Sequence, residues 1–158
     1  MEILKKPIAE NCVWKVSDFK DENEWTYHFS DDEILELENA ASQIIKKNLA
    51  PTSFSKKDFA LNKLENVLSD QLDILQKGRG FIRLRGIQPE KYDELTLQTI
   101  YWGVCSHFGS GIPQNSKGEL MSGVKDYGDK LKSDNPYREG IRLHRTTAKI
   151  DAHTDSCD

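Results

Sequence analysis

Apolar residues recur at helical spacing in three stretches of this chain before residue 110, and the rhythm then breaks down. Ile34, Leu37, Ala41, Ile44 and Ile45 form one stripe. Ser30 is a good N-cap ahead of that stripe, and Glu33 completes a capping box. With Pro51 closing the segment, this predicts a helix over Ser30–Asn48. Leu61, Leu64, Leu68, Leu72 and Leu75 predict a second helix over Leu61–Lys77, with Gly78 just past its end. Gly80–Gly86 is apolar-rich and bounded by glycines, which reads as a strand. A third helix is predicted over Tyr92–His107, with Leu97, Tyr101, Val104 and Phe108 aligned and Gly109 ending it.

The flanks lack such periodicity. Residues 11–29 hold Trp14, Phe19, Trp25, Tyr27 and Phe29 at irregular spacing, which reads as an extended lead-in packing its aromatics onto the core. After Gly109 the cluster Gly111, Pro113, Asn115 and Gly118 is loop chemistry. Leu120–Val124 is a short strand candidate, residues 127–140 are polar and turn-rich, and Ile141–Asp155 alternates weakly as one or two strands. Helices first and strands last predict an α+β domain whose sheet begins late in the chain. The expected organisation is one domain over 1–158: a lead-in at 1–29, a mainly helical part at 30–109 containing strand 80–86, and the start of the sheet at 110–158.

Composition narrows the function classes. The 158 residues are long enough for a real core, and 37% hydrophobic with 30% charged residues is a soluble, globular balance. A net charge of -4, with Lys and Arg scattered among acids, argues against a nucleic-acid partner. No apolar run approaches the ~20 residues needed to span a bilayer, so no membrane partner is expected. Met1–Glu10 has two lysines and no apolar stretch behind them, unlike a secretory signal. Cys12, Cys105 and Cys157 are odd in number and far apart, which suits reduced thiols in a cytoplasmic protein.

The candidate chemistry lies in His153-Thr154-Asp155. On a strand, residues two apart point to the same face, so the imidazole and the carboxylate project together. They are two of the three ligands of a 2-His-1-carboxylate facial triad, the arrangement that holds non-haem Fe(II). A histidine capping a strand end is the plainer reading of His153 alone. Zinc held by His153, Asp155 and Cys157 is a further alternative.

Other segments carry a resemblance in order along the chain. They are Gly80-Phe81-Ile82-Arg83-Leu84-Arg85-Gly86, Phe108-Gly109, Pro113-Gln114-Asn115, Val124-Lys125-Asp126, and Arg145-Thr146 seven residues before His153-Thr154-Asp155. Trp14, Trp25 and Phe59-Ala60-Leu61-Asn62-Lys63-Leu64 add to it. Together they resemble the N-terminal part of the taurine-catabolism-type (TauD/TfdA) Fe(II)/2-oxoglutarate-dependent dioxygenases. The resemblance implies a double-stranded β-helix, or jelly roll, of the clavaminate-synthase-like type with helices outside it. It implies iron as cofactor, 2-oxoglutarate as co-substrate, and hydroxylation of a small organic molecule. His153 and Asp155 match the first two iron ligands, and Gln114, Asn115, Arg145 and Thr146 fall in the substrate or cofactor vicinity.

The sequence also departs from the pattern. No His follows Asp155 to complete the triad, and the Arg that grips the far carboxylate of 2-oxoglutarate has no counterpart. The expectation is an oxidoreductase by descent that is inactive as this truncated chain. The rival expectation is a non-catalytic remnant or interaction module that self-associates through open sheet edges. Arg83 and Arg85 share one strand face and are expected to pair with a helix acid, Trp102 is expected in the core, and His28 and His107 stand in no motif.

Overall fold

The computed structural model describes Lys6, residues 9–115, residues 117–123 and Gly128. It divides into two units, Met1–Ile112 and Pro113–Asp158. The first unit contains helices α1 (Asp31–Lys46), α2 (Lys63–Lys77) and α3 (Glu94–Ser106) and strands β1 (Thr26–His28) and β2 (Arg83–Arg85).

Helix α1 begins as its sequence demands. The Glu33 carboxylate accepts from Ser30 N–H at 2.8 Å, and Ser30 Oγ accepts from Glu33 N–H at 3.4 Å. Glu33 also accepts the Tyr27 hydroxyl at 2.6 Å, which pushes the phenol pKa up to about 12. Leu37, Ala41 and Ile44 are fully buried along its inner face. The helix ends before Pro51 is reached, because Asn48 takes a left-handed φ of 53°. Asn48 N–H then donates to the Ile45 carbonyl at 2.9 Å and Leu49 N–H to the Ile44 carbonyl at 3.3 Å, a Schellman closure.

Helix α2 starts at Lys63, two residues after the predicted Leu61, which is buried just ahead of it. The Asn62 side chain makes no cap. Glu36, reaching across from α1, accepts from Asn62 N–H and, at 3.4 Å, from Leu64 N–H. A carboxylate at a helix N-terminus satisfies orphan donors and complements the dipole. At the far end a Cβ on Gly78 would sit 2.7 Å from the Ile74 carbonyl oxygen, so glycine is required there.

Helix α3 differs from its prediction in two respects. It is capped by Asp93, which accepts from Thr96 N–H at 2.7 Å, so Tyr92 lies outside and donates its hydroxyl to Glu38 of α1 at 2.7 Å. Its deepest face is Thr99, Ile100, Gly103 and Val104, whereas Tyr101 of the expected stripe is 59% exposed. The helix is apolar on more than one side; the expected stripe shares Val104 with the deepest face but otherwise runs along the shallower side. At Gly103 an added Cβ would lie 2.5 Å from the Phe59 ring. That ring is fully buried and stacks on Phe54 at 5.8 Å, joining the 54–61 loop to the core.

The predicted 80–86 strand is narrowed to Arg83–Arg85. Gly80 (φ 82°) and Gly86 (φ 121°) take left-handed conformations on either side of it. β2 pairs in parallel with β1 in the register Thr26↔Arg83, Tyr27↔Leu84, His28↔Arg85. Arg83 binds Glu22 at 2.8 Å and donates from Nε to Thr26 Oγ1 at 2.9 Å, while Arg85 reaches Glu22 at 3.6 Å. Glu22 opens the short 3-10 turn Glu22–Glu24, so both arginines do pair with an acid, but with one in the lead-in rather than on one of the three predicted helices. Of the lead-in aromatics, Phe29 lies in the core with Tyr27 packed beside it, as expected, whereas Trp14, Phe19 and Trp25 gather around Phe81 in a cluster of their own: Trp14 and Phe81 ring centres lie 4.9 Å apart, Phe19 and Trp25 5.1 Å. Trp14 Nε1–H also donates to the Arg79 carbonyl at 3.0 Å. No described helix is long and apolar enough to cross a membrane.

Candidate functional site

His153, Asp155, Arg145, Thr146 and Cys157 lie outside the described residues. The donor set is therefore judged on its chemistry. A neutral imidazole and a carboxylate two residues apart suit Fe(II). Among the described residues no group of three or more His, Cys, Asp and Glu side chains is placed to hold a metal ion.

Gln114 and Asn115 belong to the second unit and are described. Gln114 N–H donates to the Glu119 carbonyl at 2.7 Å. Asn115 Oδ1 accepts from Lys117 N–H at 2.9 Å and Glu119 N–H at 3.3 Å, and its amide donates to the Glu119 carboxylate. The Asn115 side chain thus ties a tight turn closed, the behaviour expected of Asn in a Gly/Pro loop.

A residue that the sequence left without a role is better defined. His107 closes the C-terminal end of α3 and is only 8% exposed. Its Nε2 lies 3.2 Å from the Phe59 carbonyl oxygen. A carbonyl can only accept, so Nε2 carries the proton and Nδ1 the lone pair. Nδ1 is buried with no hydrogen-bond partner. Burial pushes the His107 pKa down, the Phe59 bond acts upward, and the Lys56 charge adds to the lowering. The lone signal in the sequence was position, a histidine in the last turn of an amphipathic helix.

Around this end of α3 lies a cleft of about 750 Å3, bounded by Phe54–Lys57, Glu65, Trp102 and Gly109–Gly111. Trp102 is half-buried and donates its indole N–H to the Phe54 carbonyl at 2.9 Å. Lys56 and Glu65 pair at 2.8 Å near the cleft, which holds the Glu65 carboxyl below its ordinary value. A separate apolar concavity of about 480 Å3 lies between β2 and the shallower face of α3, lined by Phe29, Ile82, Leu84, Leu97, Tyr101 and Phe108 among others. Cys105 also lines it, and burial pushes its thiol pKa up.

Comparison with known proteins supplies a relationship. The chain is 28% identical over 159 residues to FR-33289 synthase of Streptomyces rubellomurinus, which takes in 100% of this chain and 45% of that protein. It is similar to both of two curated proteins along its length. The second is taurine hydroxylase-like protein SAT17 of Stachybotrys chartarum, 26% identical over 155 residues, covering 96% of this chain and 40% of that one. The chain therefore spans less than half the length of the curated relatives it matches. No family model matches it. The second relative's name carries the same taurine-hydroxylase relationship as the ordered motifs.

Proposed function

We propose that this chain is part of a taurine-catabolism-type Fe(II)/2-oxoglutarate-dependent dioxygenase, an oxidoreductase acting on a small organic molecule. The observation that carries the reading is the ordered motif series ending in His153-Thr154-Asp155, within a chain that aligns over 100% of its length with a synthase and over 96% with a taurine hydroxylase-like protein. In this reading His153 and Asp155 hold the iron on one strand face. Bound iron with 2-oxoglutarate supplies oxidative chemistry at a C–H bond. The protein's share is to orient the ligands and to keep the site dry.

The proposed complete fold is a jelly roll flanked by the helices. Its structural support is the second apolar face of α3 and the concavity beside β2, which leave the helical layer with a surface suited to a further layer. The same open surface favours a second reading, an interaction module that self-associates. Anaerobic titration with Fe(II) or Co(II) tests the metal assignment. Weak binding that His153→Ala and Asp155→Ala each abolish is expected, because two ligands leave most of the coordination sphere to water. A tight site that survives both substitutions would overturn it. Release of labelled CO2 from 2-oxoglutarate, lost in Asp155→Ala, would decide for catalysis over the interaction module.

A further inference from the structure

The cleft at the end of α3 has no part in the proposed reaction. Its volume of about 750 Å3 is in the range of small-molecule sites. Three features of its lining select a ligand. His107 offers a lone pair at Nδ1 that no described residue uses. It cannot readily serve as a donor, since burial disfavours the charged ring. The unmet need is therefore for a ligand O–H or N–H. Lys56 offers a cation. Its pairing with Glu65 is about half exposed on both sides (48% and 44%), and a solvated pair of this kind contributes little, so Lys56 can exchange one carboxylate for another at small cost. Trp102, Phe54 and Leu61 supply an apolar wall between these polar groups.

We propose that this cleft binds a small carboxylic acid carrying a hydroxyl or N–H donor, with the carboxylate on Lys56 and the donor on His107 Nδ1. The inference rests on the first unit alone and is independent of the iron reading. Nδ1 is covered in the free protein, so binding draws back the wall beside it. Gly109 and Gly111 also line the cleft; nothing lies within 4 Å of where a Cβ on Gly109 would stand, whereas a Cβ on Gly111 would meet the Trp102 ring at 2.4 Å, so the room for a shift is on the Gly109 side.

The test compares two probes on the 158-residue chain, para-hydroxyphenylacetate and phenylacetate, which differ only in the donor. Affinities are read by ligand-observed NMR, and the His107 ring nitrogens by long-range 1H–15N correlation. The hydroxylated acid is expected to bind about tenfold more tightly, the worth of one good hydrogen bond, and to shift Nδ1 rather than Nε2. His107→Leu removes the acceptor altogether, whereas a Gln there would still accept through its amide oxygen, so His107→Leu should abolish the preference while leaving phenylacetate binding intact. Lys56→Gln should weaken both acids alike, and it keeps the proposal testable should His107→Leu fail to fold. Equal affinity for the two probes, a preference that survives His107→Leu, or no binding of either at millimolar concentration would each overturn the site.

Discussion

Gly103→Ala is a small change that this packing cannot absorb. A methyl at that position would stand 2.5, 2.5 and 2.6 Å from three Phe59 ring carbons, where ordinary contact begins near 3.4 Å. The ring has no route of retreat. It is fully buried, stacked on Phe54 with an interplanar angle of 16°, and its backbone is held by His107. Two effects oppose each other. Alanine gains ~1 kcal/mol over glycine inside a helix, and overpacking a closed core costs ~1–3 kcal/mol. Three sub-contact distances put the steric cost in the upper part of that range, about 2–3 kcal/mol, leaving a net loss of about 1–2 kcal/mol. Urea denaturation followed by far-UV CD measures it, with the midpoint falling and the m-value unchanged. Phe59→Leu shrinks the obstructing ring, so the double variant should lose less than the sum of the singles, with a coupling of ~1 kcal/mol or more. A Gly103→Ala protein as stable as the parent, or strictly additive single losses, would refute this account of the α3–loop contact.

Glu36→Ala should cost ~1 kcal/mol by removing the cap of α2, with amide exchange rising first at Asn62 and Leu64. His107 has a folded pKa below its ordinary 6.5, so the unfolded chain takes up its proton first as pH falls. The stability it supports is complete above about 6.5 and declines as pH drops toward the folded value, and His107→Gln should flatten the slope in that window of a denaturant-midpoint profile. Trp14→Ala should free the lead-in without unfolding the helices, because its ring joins Phe81 and its indole N–H the Arg79 carbonyl while the side chain stays 44% exposed. Limited proteolysis before Thr26, with an unchanged thermal midpoint, would show it.

Signals confined to neighbouring residues were legible in the sequence. Ser30 and Glu33 announced the start of α1 because both halves of a capping box lie within one turn. Where the partner is remote, the sequence was silent. The start of α2 was misplaced because its cap comes from Glu36 on another helix, 26 residues before Asn62. β1 was hidden in an irregular aromatic stretch because its three residues gain strand character only from Arg83–Arg85. The α3 stripe held Val104 but took in Tyr101 and missed Ile100 because the helix is apolar on more than one side, and periodicity cannot rank two partners it does not see. Of the candidate site, Asn115 was readable as turn chemistry, whereas for His107 only its place at the end of a helix was readable, since its role depends on the Phe59 carbonyl.

The parallel pairing of Thr26 with Arg83 has a consequence for how the chain is made. A ribosome delivers β1 well before β2 exists, so the early strand must wait while α1 and α2 emerge between them. During that interval α1 can close its own capping box, but the aromatics ahead of it have no Phe81 to gather around. The lead-in is therefore synthesised ahead of the helices and is among the last parts of the first unit to settle. Its exposed rings are the part of the nascent chain most in need of shielding until residue 85 is free to pair.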